Sequence, residues 1–120
     1  MAYRQRVVDR LLPGYLAAFG AVVLEGARAA GKTATALQHS RSSVRLDASP
    51  SLLEVADLSP ELILEGDVPR LVDEWQLAPS LWNVIRHEVD FRQAKGQFIL
   101  SGSDTPEDDV TRHTGAGRFG

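Results

Sequence analysis

The chain has 120 residues, 43% of them hydrophobic and 24% charged, and a formal net charge of −3. That is the size and composition of one small globular domain rather than a disordered segment, and the absence of cysteine removes disulfide frameworks and thiolate metal sites from consideration. Charge is uneven, net +2 over residues 1–60 and net −5 over residues 61–120, with no basic stripe of the kind a duplex nucleic acid requires.

In chain order, Val7, Val8, Leu11 and Leu12 recur at helical spacing until Pro13-Gly14 interrupts them, and a second short turn from Tyr15 to Phe19 ends at Gly20. Residues 1–20 thus read as an N-terminal helical segment ahead of a core at 21–120. Met1 to Arg6 leads into this amphipathic pattern and carries no apolar signal core. No apolar stretch approaches the roughly 20 residues of a membrane span, so the expected location is the cytoplasm.

Ala21-Val22-Val23-Leu24 is an unbroken apolar run, as in strands buried on both faces. Residues 32–40 read as a helix with Ala34, Ala36 and Leu37 available for packing. Val44 to Asp47 alternates and reads as a second strand. Pro50 opens a short helix through Val55, while residues 61–65 fit helix or strand. Arg70-Leu71-Val72-Asp73 reads as a third strand behind Pro69. Pro79 is placed in the first turn of a helix whose apolar face carries Leu81, Trp82, Ile85 and Val89, and Gly96 marks its stop. Phe98-Ile99-Leu100 is a fourth strand closed by Ser101-Gly102-Ser103. Thr105 to Asp108 has the composition of a helix start. Residues 115–120 read as a glycine-rich tail. The alternation predicts an α/β fold of three layers around a mainly parallel sheet.

Gly26-Ala27-Arg28-Ala29-Ala30-Gly31-Lys32-Thr33 satisfies G-x-x-x-x-G-K-[ST], placed between a strand and a helix. Glycines let the backbone turn its N–H groups inward onto phosphate oxygens. Lys32 reaches the β- and γ-phosphates, and Thr33 offers a hydroxyl to Mg²⁺. Leu71-Val72-Asp73-Glu74 is a strand ending in two acids. Asp73 suits the Mg²⁺ through its waters, and Glu74 suits orientation and deprotonation of an attacking water. Ser101 and Ser103 end the fourth strand with hydroxyls suited to sensing phosphate or positioning water. Arg112 and Arg118 flank a glycine-rich stretch and are able to neutralise charge on a transferring phosphoryl group. His39, His87 and His113 lack metal-ligand spacing. Trp82 is expected in the core, and Trp75 beside the acids or over a sheet edge.

Taken together, Ala21 to Thr33, Val44 to Asp47, Pro69 to Gln76, Phe98 to Ser103 and Arg112 to Arg118 resemble the bacterial and archaeal AAA-type ATP-binding proteins that carry a nuclease-like C-terminal domain. The resemblance implies the additional-strand P-loop core, with the fourth strand inserted between the first and third. It implies ATP and Mg²⁺ as ligands, with the loop and Ala34 around the nucleotide. By position it gives Lys32 and Thr33 the phosphate and metal roles, Asp73 the metal, Glu74 the water and Ser101 or Ser103 the sensor. Arg118 takes the arginine-finger position, with Arg112 second. Relatives of this kind continue past the equivalent of Gly120 into a fifth strand, a helical lid and the C-terminal domain. A truncated core with an open edge beside the first strand is therefore expected. The expected partners are a nucleotide, a second copy of the chain or the C-terminal domain. The alternatives are a non-catalytic interaction fragment and a P-loop small-molecule kinase. No Asn-Lys-x-Asp base-reading segment for guanine occurs.

Overall fold

In a computed structural model, residues 7–24, 32–102 and 116–119 are described. Helix α1 spans Val7–Ala18, β1 Ala21–Leu24, α2 Lys32–Gln38, β2 Ser42–Arg45, α3 Pro50–Leu58 and α4 Pro60–Ile63. Strand β3 spans Arg70–Asp73, α5 Leu81–Arg92, β4 Phe98–Ser101 and β5 Ala116–Phe119, with a 3₁₀ turn at Trp75–Leu77. The sheet order is β2-β3-β4-β1-β5. The first four strands are mutually parallel, and β4 lies between β1 and β3 as expected.

Side-chain alternation builds the three layers. Ala21, Val23, Val72, Phe98 and Leu100 point to one face and pack with Ala56, Ile63, Leu81, Ile85 and Val89 of α3, α4 and α5. Val22, Leu24, Leu71 and Ile99 point to the other and pack with Leu12, Tyr15 and Leu16 of α1 and Ala36 of α2. Strands β1 and β4 are buried along their whole length, which is why both read as continuous apolar runs.

Several local expectations are corrected. Helix α1 is continuous through Pro13, where the sequence predicts a break. Pro13 removes one N–H from the helix ladder, but the turns on both sides bury Leu12, Tyr15 and Leu16 on the sheet, and that packing holds the helix together. Strand β2 runs from Ser42 to Arg45, two residues earlier than read. Leu46 leaves the strand to fill the core, and its N–H still reaches the Asp73 carbonyl at 3.1 Å. Residues 60–63 are helical, and α3 extends to Leu58.

Pro79 lies two residues ahead of α5 instead of inside its first turn. Gln93, in the left-handed conformation at φ 52°, ends α5 three residues before Gly96. Arg92 fastens that end by donating to Glu88 Oε2 at 2.7 Å and Gln97 Oε1 at 2.9 Å, with its guanidinium 4.9 Å over the Phe98 ring. The fully buried tryptophan is Trp75, with Trp82 half-buried against it at 5.2 Å between ring centroids. Finally, the edge of β1 is not open: β5 pairs with it antiparallel, Leu24 opposite Ala116 and Ala21 opposite Phe119. The expected helix start at 105–108 lies outside the described residues.

At the N-terminal edge of the sheet, Arg70 ties the 63–67 segment to β2 and β3. Its Nε donates to the Ile63 carbonyl at 2.6 Å and its Nη1 to Ser42 Oγ at 3.1 Å. Ser42 in turn donates to the Asp67 carbonyl at 2.6 Å. Burial lowers the Arg70 pKa from its usual value, opposed by the nearby Glu65 carboxylate. This edge is scaffolding, and the polar groups with chemical capacity gather at the other end.

Candidate functional site

Registers align the last residues of the four parallel strands in one row. Arg45 stands opposite Asp73, Asp73 opposite Ser101, and Ser101 opposite Leu24. Because Leu71, Ile99 and Leu24 face α1 and α2, the period of two puts Asp73 and Ser101 on that same face. Ligands of open α/β sheets bind outside the carboxyl ends of the strands, and this row is that end. The segment after Leu24 leads into α2, which lies against β3 and β4 on the face of Asp73 and Ser101.

Asp73 is 3% exposed. Its Oδ1 accepts from Ser101 Oγ at 2.5 Å and from the Glu74 backbone N–H at 3.1 Å. Its Oδ2 faces Arg45 Nε at 3.9 Å, and Arg45 also reaches Asp47 Oδ2 at 3.4 Å. One carboxylate oxygen is therefore fixed by two donors, while the other, among the described residues, faces the solvent-exposed Arg45 guanidinium. A buried carboxylate with one oxygen held and the other open to an exposed cation fits a Mg²⁺ role, since Mg²⁺ takes one or two carboxylates and completes its shell with water and phosphate oxygens. No cluster of three or more His, Cys, Asp or Glu that would cage a metal occurs among the described residues.

Glu74 leaves the strand in the left-handed region, φ 58° and ψ 42°. A non-glycine residue there carries a backbone cost of about 1 kcal/mol and is uncommon outside constrained sites. The twist frees the Glu74 side chain from strand alternation. Its Oε1 accepts from Gln76 Nε2 at 2.6 Å. Gln76 lies against Gly102, where an added Cβ would collide with Gln76 Oε1. The two acids thus serve different places: Asp73 inside the sheet edge, Glu74 on the turn above it.

Of the other residues singled out by sequence, Ser101 is fully buried within the row. Lys32, Thr33 and Ala34 form the first turn of α2, their side chains lying outside the described part. Gly26, Ala27, Arg28, Ala29, Ala30, Gly31, Ser103, Arg112 and His113 lie outside the described residues. The backbone of Arg118 is in β5 opposite Val22, two strand positions from Leu24 and the row. Asp47 is exposed and paired with Arg45, His39 is half-buried and His87 exposed. A shallow depression of about 420 Å³ lined by Val89, Asp90, Gln93, Ala94 and Lys95 lies at the C-terminal end of α5, toward the opposite edge of the sheet from the row.

Sequence reasoning missed Arg45, Gln76 and Gly102. Arg45 closes an alternating strand and looks like any exposed edge residue. Gln76 stands two residues past the acids, a spacing that offers a signal only once the chain is known to turn sharply at Glu74. Gly102 reads as a strand-ending glycine until its contact with Gln76 is seen.

No helix among the described residues is long and apolar enough to cross a membrane. Comparison with curated proteins and with solved structures finds no match. Comparison with protein families matches residues 18–119 to the family described as AAA domain. The match runs from the end of α1 through every strand of the sheet, and with the parallel core and the acidic strand end on the page, the chain belongs to the AAA domain family of ATP-binding domains.

Proposed function

We propose that the chain binds ATP with Mg²⁺ across the row of strand ends and that this site hydrolyses ATP to ADP and phosphate. The observation that carries the reading is Asp73: a buried carboxylate at the end of β3, one oxygen held by Ser101 and the Glu74 N–H, on the sheet face that α2 covers.

By the motif, the amides of Gly26 to Gly31 are the groups to cradle the phosphates, Ala34 is a further nucleotide-binding position, and Lys32 supplies a mobile positive charge. Thr33 and Asp73 would hold Mg²⁺, whose charge would offset that developing on the transferring phosphoryl group. Glu74 takes a proton from water as the water oxygen bonds to the γ-phosphorus and the bond to the ADP oxygen breaks. Ser101 commits its proton to Asp73 and so positions that carboxylate, which leaves the sensor role to Ser103. An arginine at 118, or at 112, supplies further positive charge, from this chain or from a neighbouring copy.

Calorimetry and phosphate release test the reading. Lys32→Ala abolishes ATP binding. Glu74→Gln keeps the binding and loses turnover by about 100-fold, in line with the usual size of general-base catalysis. ATP binding by Lys32→Ala at wild-type affinity removes the site assignment. Phosphate release with no acceptor present separates hydrolysis from the kinase alternative. Self-association with no ATP binding points instead to the interaction fragment.

A further inference from the structure

We propose that Gln76 is a positioning residue for Glu74, clamping one oxygen of its carboxylate so that the other is aimed at the attacking water. The inference rests on the proposed hydrolysis at this site and extends it to a residue outside the acidic pair.

Three observations carry it. Gln76 Nε2 donates to Glu74 Oε1 at 2.6 Å, a charge-assisted length. The other end of the same amide, Gln76 Oε1, is buried and has no hydrogen-bond partner among the described residues. A glutamine that sacrifices one amide end to hold the other in place forgoes a hydrogen bond that stability alone would favour. The third is Gly102, directly after the row residue Ser101. Its lack of a side chain makes the space that Gln76 Oε1 occupies.

The amide is thus wedged between the end of β4 and the turn after β3. Because Glu74 sits in the left-handed region, ordinary strand geometry does not aim its side chain. The amide does so instead, leaving Oε2 free to accept a proton. The same contact links Glu74 mechanically to the strand end that carries Ser101, since a shift of Gly102 moves the amide.

Two variants attack the clamp from opposite sides. Gln76→Glu keeps the shape, removes the donor and sets a like charge beside Glu74. Gly102→Ala places a methyl group against the flexible end of Gln76, in a backbone conformation that alanine tolerates. Each is expected to lower kcat about tenfold or more, as misplacement by an ångström does. The dissociation constant for Mg·ATP by calorimetry stays within about twofold, and the melting temperature without nucleotide shows that the fold is intact.

A readout independent of turnover comes from NMR of the nucleotide-free protein. The Gln76 side-chain amide protons are expected downfield of a free amide, returning to the free position in Glu74→Ala. Wild-type kcat in both variants, a raised kcat in either, or an unshifted Gln76 amide overturns the clamp. If Glu74→Gln itself leaves turnover intact, the hydrolytic reading falls instead, so the two failures are distinct.

Discussion

At the scale of single residues, the site is a study in how a buried charge is accommodated. Asp73 is almost out of water, and an isolated buried carboxylate would cost several kcal/mol. Two donors on Oδ1 and the Arg45 guanidinium near Oδ2 make up for the lost hydration. Ser101→Ala removes the shorter of the two hydrogen bonds, made by a fully buried hydroxyl. It is expected to lower stability by about 1–3 kcal/mol, read as a reduced urea midpoint, and to weaken Mg²⁺-dependent nucleotide binding as Asp73 loses its orientation. An unchanged midpoint would mean that the Ser101 hydroxyl contributes nothing to holding Asp73. The Arg45 pair contributes far less, because its guanidinium is exposed and solvent screens the 3.9 Å separation. The acidic pair was legible in the sequence as a strand end. The divergence of its two side chains was not, since it depends on the left-handed turn at Glu74.

At the scale of elements, α1 shows packing overriding local preference. Pro13 denies a hydrogen bond to the carbonyl four residues back and crowds it, at a typical cost of about 3 kcal/mol inside a helix. The helix forms regardless because Leu12, Tyr15 and Leu16 cover Val22, Leu71 and Ile99. Pro13→Ala restores the donor and is expected to stabilise the protein by about 1–2 kcal/mol, after the entropy that proline removes from the unfolded chain is given back. Thermal unfolding checks it, and a lowered melting temperature would show that the proline shapes the packing. On the other face, α5 approaches β1 so closely that a Cβ at Gly20 would collide with Val89 Cγ1. Valine is branched at Cβ and has little freedom to yield. Gly20→Ala is therefore expected to cost about 1–3 kcal/mol as overpacking, measured by chemical denaturation.

At the scale of the whole molecule, the sheet's edges decide how the chain meets other chains. Strand β1 is wholly buried and apolar, and β5 covers the side of it that β4 leaves. Removing residues 116–120 uncovers a row of backbone donors and acceptors on an apolar strand, the arrangement most prone to pairing with a second chain. The shortened chain is expected to associate in a concentration-dependent way by light scattering, with the intact chain as reference. Equal scattering from the two would show that β5 is dispensable to the edge. The other edge strand, β2, is alternately exposed and carries Ser42, Ser43 and Arg45, composition that discourages such pairing.

The sequence by itself determined the parts whose physics is local or periodic. Four adjacent apolar residues name β1, an apolar strand closing on Asp73-Glu74 names the acidic edge, and the glycine-lysine-threonine motif is the ground for the proposed phosphate cradle. Strand alternation then implies a parallel three-layer fold, because helices must cover both faces of such a sheet. Tertiary structure decided what depends on residues far apart in the chain. The Ser101–Asp73 hydrogen bond joins residues 28 positions apart. The wedge of Gln76 against Gly102 joins two separate strand ends, and β5 pairs across almost the whole length of the domain. A hydrogen bond or a close approach of this kind leaves no periodic trace, because its energy is set by where the backbone carries two groups and not by what either residue prefers alone.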